Sequence, residues 1–332
     1  MRTDRASRCL LPCVLAVLAV AAGCGGGSGL TPITFLTNYV FIGRHAPFFV
    51  GTEKGFYREA GLDVTILPAT GSAFVITAIE GGQADFGIAE TASLVQAAGR
   101  GANVKAFGVF MDRSTSGLAA LAPYPSPASV VGRQVAASLT DSARIILPIA
   151  LSRHGLDPGA VAWVAADPAM YATLLLADDV DLITASIDSD VPALRRVAEP
   201  QGRQVHFSGF ADWGYDVYGY LLIAHGDRLT SRPEEVRSFA AATARAVVYA
   251  IEHPEEAAEI IARYSPTLDR VTALAQWEAS IPAIATATVA ELGYGVATTD
   301  RLHASIDLVT EAFALETALT PADIYADGFM PR

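Results

Sequence analysis

The stretch NYVFIGRHAPFFVGTEKGFYREAGLDVTI, residues 38–66, decides how this chain folds. An apolar strand over residues 33–40 runs into it and gives way to a loop holding Gly43, Arg44 and His45. Pro47 opens a helix, at a position where its missing N–H leaves no bond unmade. Phe48, Phe49, Thr52, Phe56, Tyr57 and Ala60 recur at helical spacing, so one stripe faces a core. Gly61 falls where a helix end favours positive φ, and a second strand, residues 62–68, follows at once. Strand, helix and strand with short joints predict a parallel pair. Open parallel sheets bind ligands beyond the carboxyl ends of their strands, which makes the loop 38–45 a candidate site.

The alternation continues. Helices are expected over 71–81 and 91–100 and strands over 84–89 and 104–111, an α/β lobe with a mainly parallel sheet. Residues 117–122 are apolar and are followed by Pro123, Pro125 and Pro127, which mark the exit into a second lobe. There the pattern predicts strands over 131–137, 161–165, 181–185 and 205–208, with helices over 143–154, 168–176 and 189–198. The chain returns through Asp212, Trp213, Gly214 and Tyr215 into a strand over 218–224. From Arg232 on it reads as helical, in segments 233–252, 254–264, 267–285 and 299–317, with Pro254, Pro266 and Pro321 at joints. The division is therefore residues 32–120 and 214–332 for the first lobe and 121–213 for the second.

At the start, Arg2, Arg5 and Arg8 precede an apolar run, 10–22, too short for a spanning helix, which needs about 20 residues. Small residues follow, then Cys24. This describes a secretory signal over residues 1–23. The glycine-rich segment 24–31 that comes next reads as a flexible tether. The chain has 23 basic and 35 acidic residues; taking away the three arginines and Asp4 of the leader leaves 20 and 34, a formal charge of −14. So acidic a body argues against nucleic acid and anionic lipid as partners. The three cysteines are Cys9, Cys13 and Cys24, so cleavage before Cys24 leaves a body without disulfides or cysteine metal sites. No H-E-x-x-H, G-x-S-x-G, P-loop or G-x-G-x-x-G motif is present, and the six histidines are scattered singly. The expectation is a protein that is not an enzyme and carries no metal or cofactor.

Gly43-Arg44-His45-Ala46-Pro47-Phe48-Phe49-Val50, Glu53-Lys54-Gly55-Phe56-Tyr57, Glu59 and 61–64 resemble the opening of substrate-binding proteins of bacterial ABC importers, in the branch for the thiamine pyrimidine precursor, riboflavin, nitrate or sulfonates. Tyr220-Leu221-Leu222-Ile223-Ala224, the run 232–239, the run 249–257 and Ile324-Tyr325 are similar to the same family. The resemblance implies a two-lobed periplasmic-binding-protein type II fold with two hinge crossings. It implies a monomeric, exported binding protein that closes on a small molecule and delivers it to a permease. The run Ala21-Ala22-Gly23-Cys24 resembles a lipoprotein signal, in which lipidated Cys24 would tie the protein to the outer face of the cytoplasmic membrane; the alternative is an ordinary signal cut nearby, which would leave it in the periplasm. The H-A-P-F-F variant favours a flat heterocycle, a pyrimidine precursor or riboflavin-like ring; an oxyanion such as sulfonate or nitrate is the alternative, as is a sensor feeding a membrane receptor. A fungal relative of this fold makes the thiamine pyrimidine from its own histidine and pyridoxal phosphate with an iron-binding cysteine segment, which this body lacks.

If two such lobes face each other, four turns converge on a ligand. In the first, Asn38, Tyr39, Phe41 and His45 can stack on or hydrogen-bond a ring, while Phe48 and Phe49 belong to the core. In the second, Glu90 and Thr91 start a helix whose free N–H groups suit a polar ligand. In the third, Ser138, Thr140 and Asp141 lead into a helix, although Asp141 speaks against an anion. In the fourth, Asp188 can accept from a heterocycle. Trp213 and Tyr215 are expected to line the cleft at the return crossing.

Overall fold

The computed structural model describes residues 29–139 and 141–331. Ten strands form two five-stranded sheets. They are β1 (Thr31–Leu36), β2 (Leu62–Leu67), β3 (Phe86–Glu90), β4 (Val104–Val109), β5 (Ser116–Ala120), β6 (Gln134–Ala137), β7 (Ala162–Ala165), β8 (Leu182–Ser186), β9 (His206–Gly209) and β10 (Tyr220–His225). The first sheet runs β2-β1-β3-β10-β4 and the second β7-β6-β8-β5-β9. β1 pairs in parallel with β2, Thr31 opposite Leu62, and with β3, as short strand–helix–strand joints require.

Each sheet also holds one strand that runs against its neighbours. β10 is antiparallel to β3 and β4, and β5 is antiparallel to β8 and β9. Both are the first strand after a crossing, so they enter their sheets from the opposite side. The expected boundary at residue 120 therefore moves: β5 already pairs within the second sheet, and the first crossing is the segment 110–115 ahead of it. The expected helix after Pro47 is broken as well. Helix Ala46–Glu53 ends before Gly55, whose φ is +76°, and Phe56–Glu59 forms a separate turn. Gly61 takes a positive φ of 80°.

One face of the first sheet is filled by aromatic side chains. Phe35 packs on Phe48 with centroids 4.4 Å apart, and Phe86 stacks on Phe239 at 4.5 Å. Phe239 comes from helix Pro233–Glu252, so the C-terminal helices seal this lobe. Phe48 and Phe49 are buried there, as expected. A second core cluster runs from the other face of the first sheet through Leu118, Ile146, Phe210 and Trp213 of the second lobe to Leu302 and Ile306. Among the described residues no helix is long and apolar enough to cross a membrane.

The loop 38–45 is fixed by a C-terminal helix of its own lobe. Gly43 lies flush against helix Arg270–Ile284, where an added Cβ would come within 2.5 Å of Gln276 Cβ and 2.7 Å of the Trp277 nitrogen. Its N–H donates to Gln276 Oε1 at 2.8 Å. Gly43→Ala is expected to lower unfolding stability by about 1–3 kcal/mol through overpacking, read from urea denaturation. A stability equal to wild type would show that the loop can lift off the helix.

Candidate functional site

A cavity of about 600 Å³ lies between the lobes, at the carboxyl ends of the strands. The first lobe supplies Asn38, Tyr39, Arg44, Glu90 and Tyr220 to its wall; the second supplies Asp141, Tyr171, Ser186, Asp190 and Phe210, among others. Four aromatic residues thus line the space together with three carboxylates and one guanidinium.

Arg44 is the charged centre of the first-lobe wall. Its side chain is 4% exposed and Nη1 stands 3.3 Å from Oδ2 of Asp188, a fully buried carboxylate of the second lobe. The pair is close enough to neutralise charge without being aligned as a hydrogen bond, and Nε and Nη1 have no hydrogen-bond partner. The guanidinium carbon sits 4.7 Å from the centroid of the Tyr220 ring. Burial works against the positive charge, but Asp188, Tyr220 and Glu90 outweigh it and hold Arg44 protonated. The Tyr220 hydroxyl donates to Glu90 Oε1 at 3.1 Å. Burial raises the Glu90 carboxyl above its ordinary pKa, with the Tyr220 bond and Arg44 pulling the other way.

On the facing wall, Asp190 accepts the Ser186 N–H at 2.7 Å, and burial raises its pKa too. Asp141 accepts the Ala143 N–H at 2.9 Å and the Thr184 hydroxyl at 2.6 Å. The Tyr171 hydroxyl accepts the Ser138 N–H at 2.6 Å, which fixes its ring over the cavity.

Asn38, Tyr39, Glu90 and Asp141, of the residues expected at the site, stand on this wall. Others do not. His45 is fully buried behind it: Nδ1 accepts the Ile42 N–H at 3.3 Å and Nε2 lies 3.1 Å from Asn38 Oδ1. It orients Asn38 rather than meeting a ligand. Phe41 packs edge-on against Phe49, centroids 4.8 Å apart. Trp213 is 3% exposed and packs against Phe210, so Phe210 occupies the wall position expected of Trp213. Asp188 does not face a ligand because it neutralises Arg44 and accepts hydroxyls from Ser186 at 2.7 Å and Ser280 at 3.2 Å. Thr91 and Tyr215 border a separate void of about 20 Å³ beside the cavity. Ser138 contributes its backbone, to Tyr171 and to Arg144. Thr140 and Cys24 lie outside the described residues.

Arg44, Tyr171, Asp190, Phe210 and Tyr220 were not foreseen. A signal was available for Arg44, Tyr171, Asp190 and Phe210, which follow strands, where ligands of α/β sheets gather; Tyr220 instead opens β10, which runs antiparallel and brings its start opposite Glu90.

The family model described as NMT1/THI5 like matches residues 43–257. The chain belongs to this family. A relative named 4-amino-5-hydroxymethyl-2-methylpyrimidine phosphate synthase, from Legionella pneumophila, is 27% identical over 241 residues, covering 71% of this chain and 74% of its own length. A protein of the same name from Candida albicans is 23% identical over 247 residues, 71% and 72% of the two chains. Among solved structures, the periplasmic aliphatic sulphonate binding protein of Escherichia coli superposes with a TM-score of 0.67 at 14% identity, over 92% of this chain and 94% of that one. The fold is thus that of periplasmic binding proteins, of the type expected.

These relatives correct the expectation that the chain is no enzyme. Missing nucleophile and metal motifs do not separate it from family members named as synthases, because a chemistry built on a binding cavity leaves no such motif. A pyridoxal phosphate aldimine needs a lysine, and the two lysines of the sequence lie away from the cavity: Lys54 pairs with Glu256, and Lys105 donates to the Ala322 carbonyl. Among the described residues no three His, Cys, Asp or Glu side chains are grouped to hold a metal. The residues of the cavity therefore do not fit either group.

Burial, then the charge of Arg44, pulls the His45 pKa well below 6.5. The folded state keeps this ring neutral while the unfolded chain protonates it, so the stability it contributes is present above pH 6.5 and lost as pH falls. From pH 7 to 5.5, wild type should lose about 1 kcal/mol more than His45→Gln in denaturant titrations. Parallel losses would show that His45 is protonated in the folded protein.

Proposed function

We propose that this protein captures a flat, uncharged nitrogen heterocycle of the aminopyrimidine type between its lobes. The carrying observation is the wall itself: Tyr39 and Tyr171 line it with aromatic side chains from the two lobes, and Glu90, Asp141 and Asp190 offer acceptors for ring amino groups. Stacking on an aromatic side chain is worth about 0.5–1.5 kcal/mol per ring beyond burial. An oxyanion would meet three carboxylates, with the one guanidinium already facing Asp188. A ligand that touches both walls favours the closed arrangement and no other, which gives capture by closure. The relatives' names point to the same ring. In this reading the protein is exported, tethered through Cys24, and hands its ligand to an ABC permease.

The relatives also favour a second reading, in which the cavity makes such a ring. One experiment serves both. Free 4-amino-5-hydroxymethyl-2-methylpyrimidine should raise the melting temperature, since ligand at a hundred times its Kd adds about 2.7 kcal/mol. Nitrate and methanesulfonate at equal concentration should not. Stabilisation by the anions alone would overturn the aminopyrimidine reading, and appearance of the phosphorylated pyrimidine by mass spectrometry, on incubating the protein with pyridoxal phosphate and iron and no free pyrimidine, would replace capture by synthesis.

The tether is tested separately. Wild type is expected in the membrane fraction and Cys24→Ser in the soluble exported fraction; a soluble, unlipidated wild type would remove the anchor from the proposal.

A further inference from the structure

Arg44 is buried at the cavity wall, and its Nε and Nη1 have no hydrogen-bond partner. Buried donors are nearly always met, and a guanidinium has no protonation state in which it can give them up. Asp188 Oδ2, 3.3 Å from Nη1, balances the charge without making a hydrogen bond to it. On the same wall, the Tyr220 ring lies 4.7 Å from the guanidinium, while its hydroxyl bonds Glu90. One tyrosine thus holds a donor and an acceptor side by side at the cavity.

We infer that Arg44 determines ligand specificity: its guanidinium donates to an in-plane ring nitrogen of the bound heterocycle, while Glu90 accepts from the amino group on the adjacent carbon. The inference rests on the aminopyrimidine reading and adds which residue reads which edge of the ring. A planar donor fork beside a carboxylate matches a planar acceptor–donor edge, in the way such groups read base edges. An anionic ligand group is disfavoured at the same place, since Asp188, Glu90 and Asp190 all act on Arg44 through their charge. A site built to hydrogen-bond a ligand atom rejects the analogue that lacks it, because its own groups are left unmet.

The test compares two neutral ligands by calorimetry on the full chain. One is 4-amino-5-hydroxymethyl-2-methylpyrimidine. The other is its carbocyclic analogue, 2-amino-4-methylbenzyl alcohol, which keeps the amino group and loses the ring acceptors. Because Arg44→Met alone strands Asp188, the variant is Arg44→Met with Asp188→Asn, which removes both charges at similar volume. Wild type should prefer the pyrimidine by roughly ten- to hundredfold, the range of a hydrogen bond to a charged group, and the double variant should bind the two ligands within about threefold. If the double variant weakens both equally and keeps the preference, Arg44 is structural and the inference fails while the aminopyrimidine reading stands. If wild type binds neither, the aminopyrimidine reading fails and the inference with it.

Discussion

A guanidinium from one lobe and a carboxylate from the other are buried against each other at 3.3 Å, and the proposed capture by closure turns on that contact. Leaving either partner alone in the closed state would cost about 3–5 kcal/mol. Opened lobes return both groups to water, so the desolvation cost and the attraction nearly cancel across the motion. The ion pair therefore gives direction and register to closure rather than much free energy. Neighbouring bonds keep its two ends in place. Gln276 accepts the Gly43 N–H and donates to the Ser189 carbonyl at 3.2 Å, and Ser280 donates to Asp188. One helix of the first lobe, Arg270–Ile284, thereby holds both the loop that carries Arg44 and the turn that carries Asp188.

With closure poised in this way, the contents of the cavity decide its occupant. The same fold serves the sulphonate-binding neighbour, and shared fold does not carry shared ligand. In this chain the wall is acidic. Burial makes Glu90 and Asp190 weaker acids than usual, so each is costly to leave ionised and unbonded. A ligand with N–H donors relieves that cost, and an anion adds to it. The identity of the wall residues, and not the topology, carries the functional argument.

The fold was legible because its signals are local. Pro47, Phe48 and Phe49 announce the first helix from spacing and backbone preference alone, and helix Pro233–Glu252 falls where Pro233 and Pro254 bound it. The broken helix at Gly55 was missed, since apolar spacing continues smoothly across a left-handed residue. The placement of β5 was missed for a different reason: an apolar run looks the same whether it ends one sheet or begins another. At the site, residues with a polar function and no packing role, such as Glu90 and Asp141, were recognisable after their strands. His45 and Trp213 were not, because a histidine beside a loop or a tryptophan beside a hinge reads as exposed until the tertiary fold covers it. Arg44 was hidden by its setting, a charge in an apolar stretch whose counter-ion is 144 residues away in the chain.

Side chains brace the crossings, and Arg113 of the first pairs with Asp212 of the second at 3.0 Å. Arg301 Nη1 donates to Asp112 at 2.7 Å on the first crossing, and Nη2 donates to Asp216 at 3.1 Å on the second, with its guanidinium 4.4 Å from the Tyr218 ring centroid. Both crossings are thus tied to helix Thr299–Phe313. The contacts that join the lobes farther out are of a different kind. Arg153–Glu311 and Arg196–Asp269 are exposed ion pairs, each worth at most about 1 kcal/mol. A half-buried brace at the crossings and exposed ion pairs elsewhere fit the proposed capture by opening and closing of the cleft. The cavity, lined from both lobes, is the element whose occupancy that motion reports.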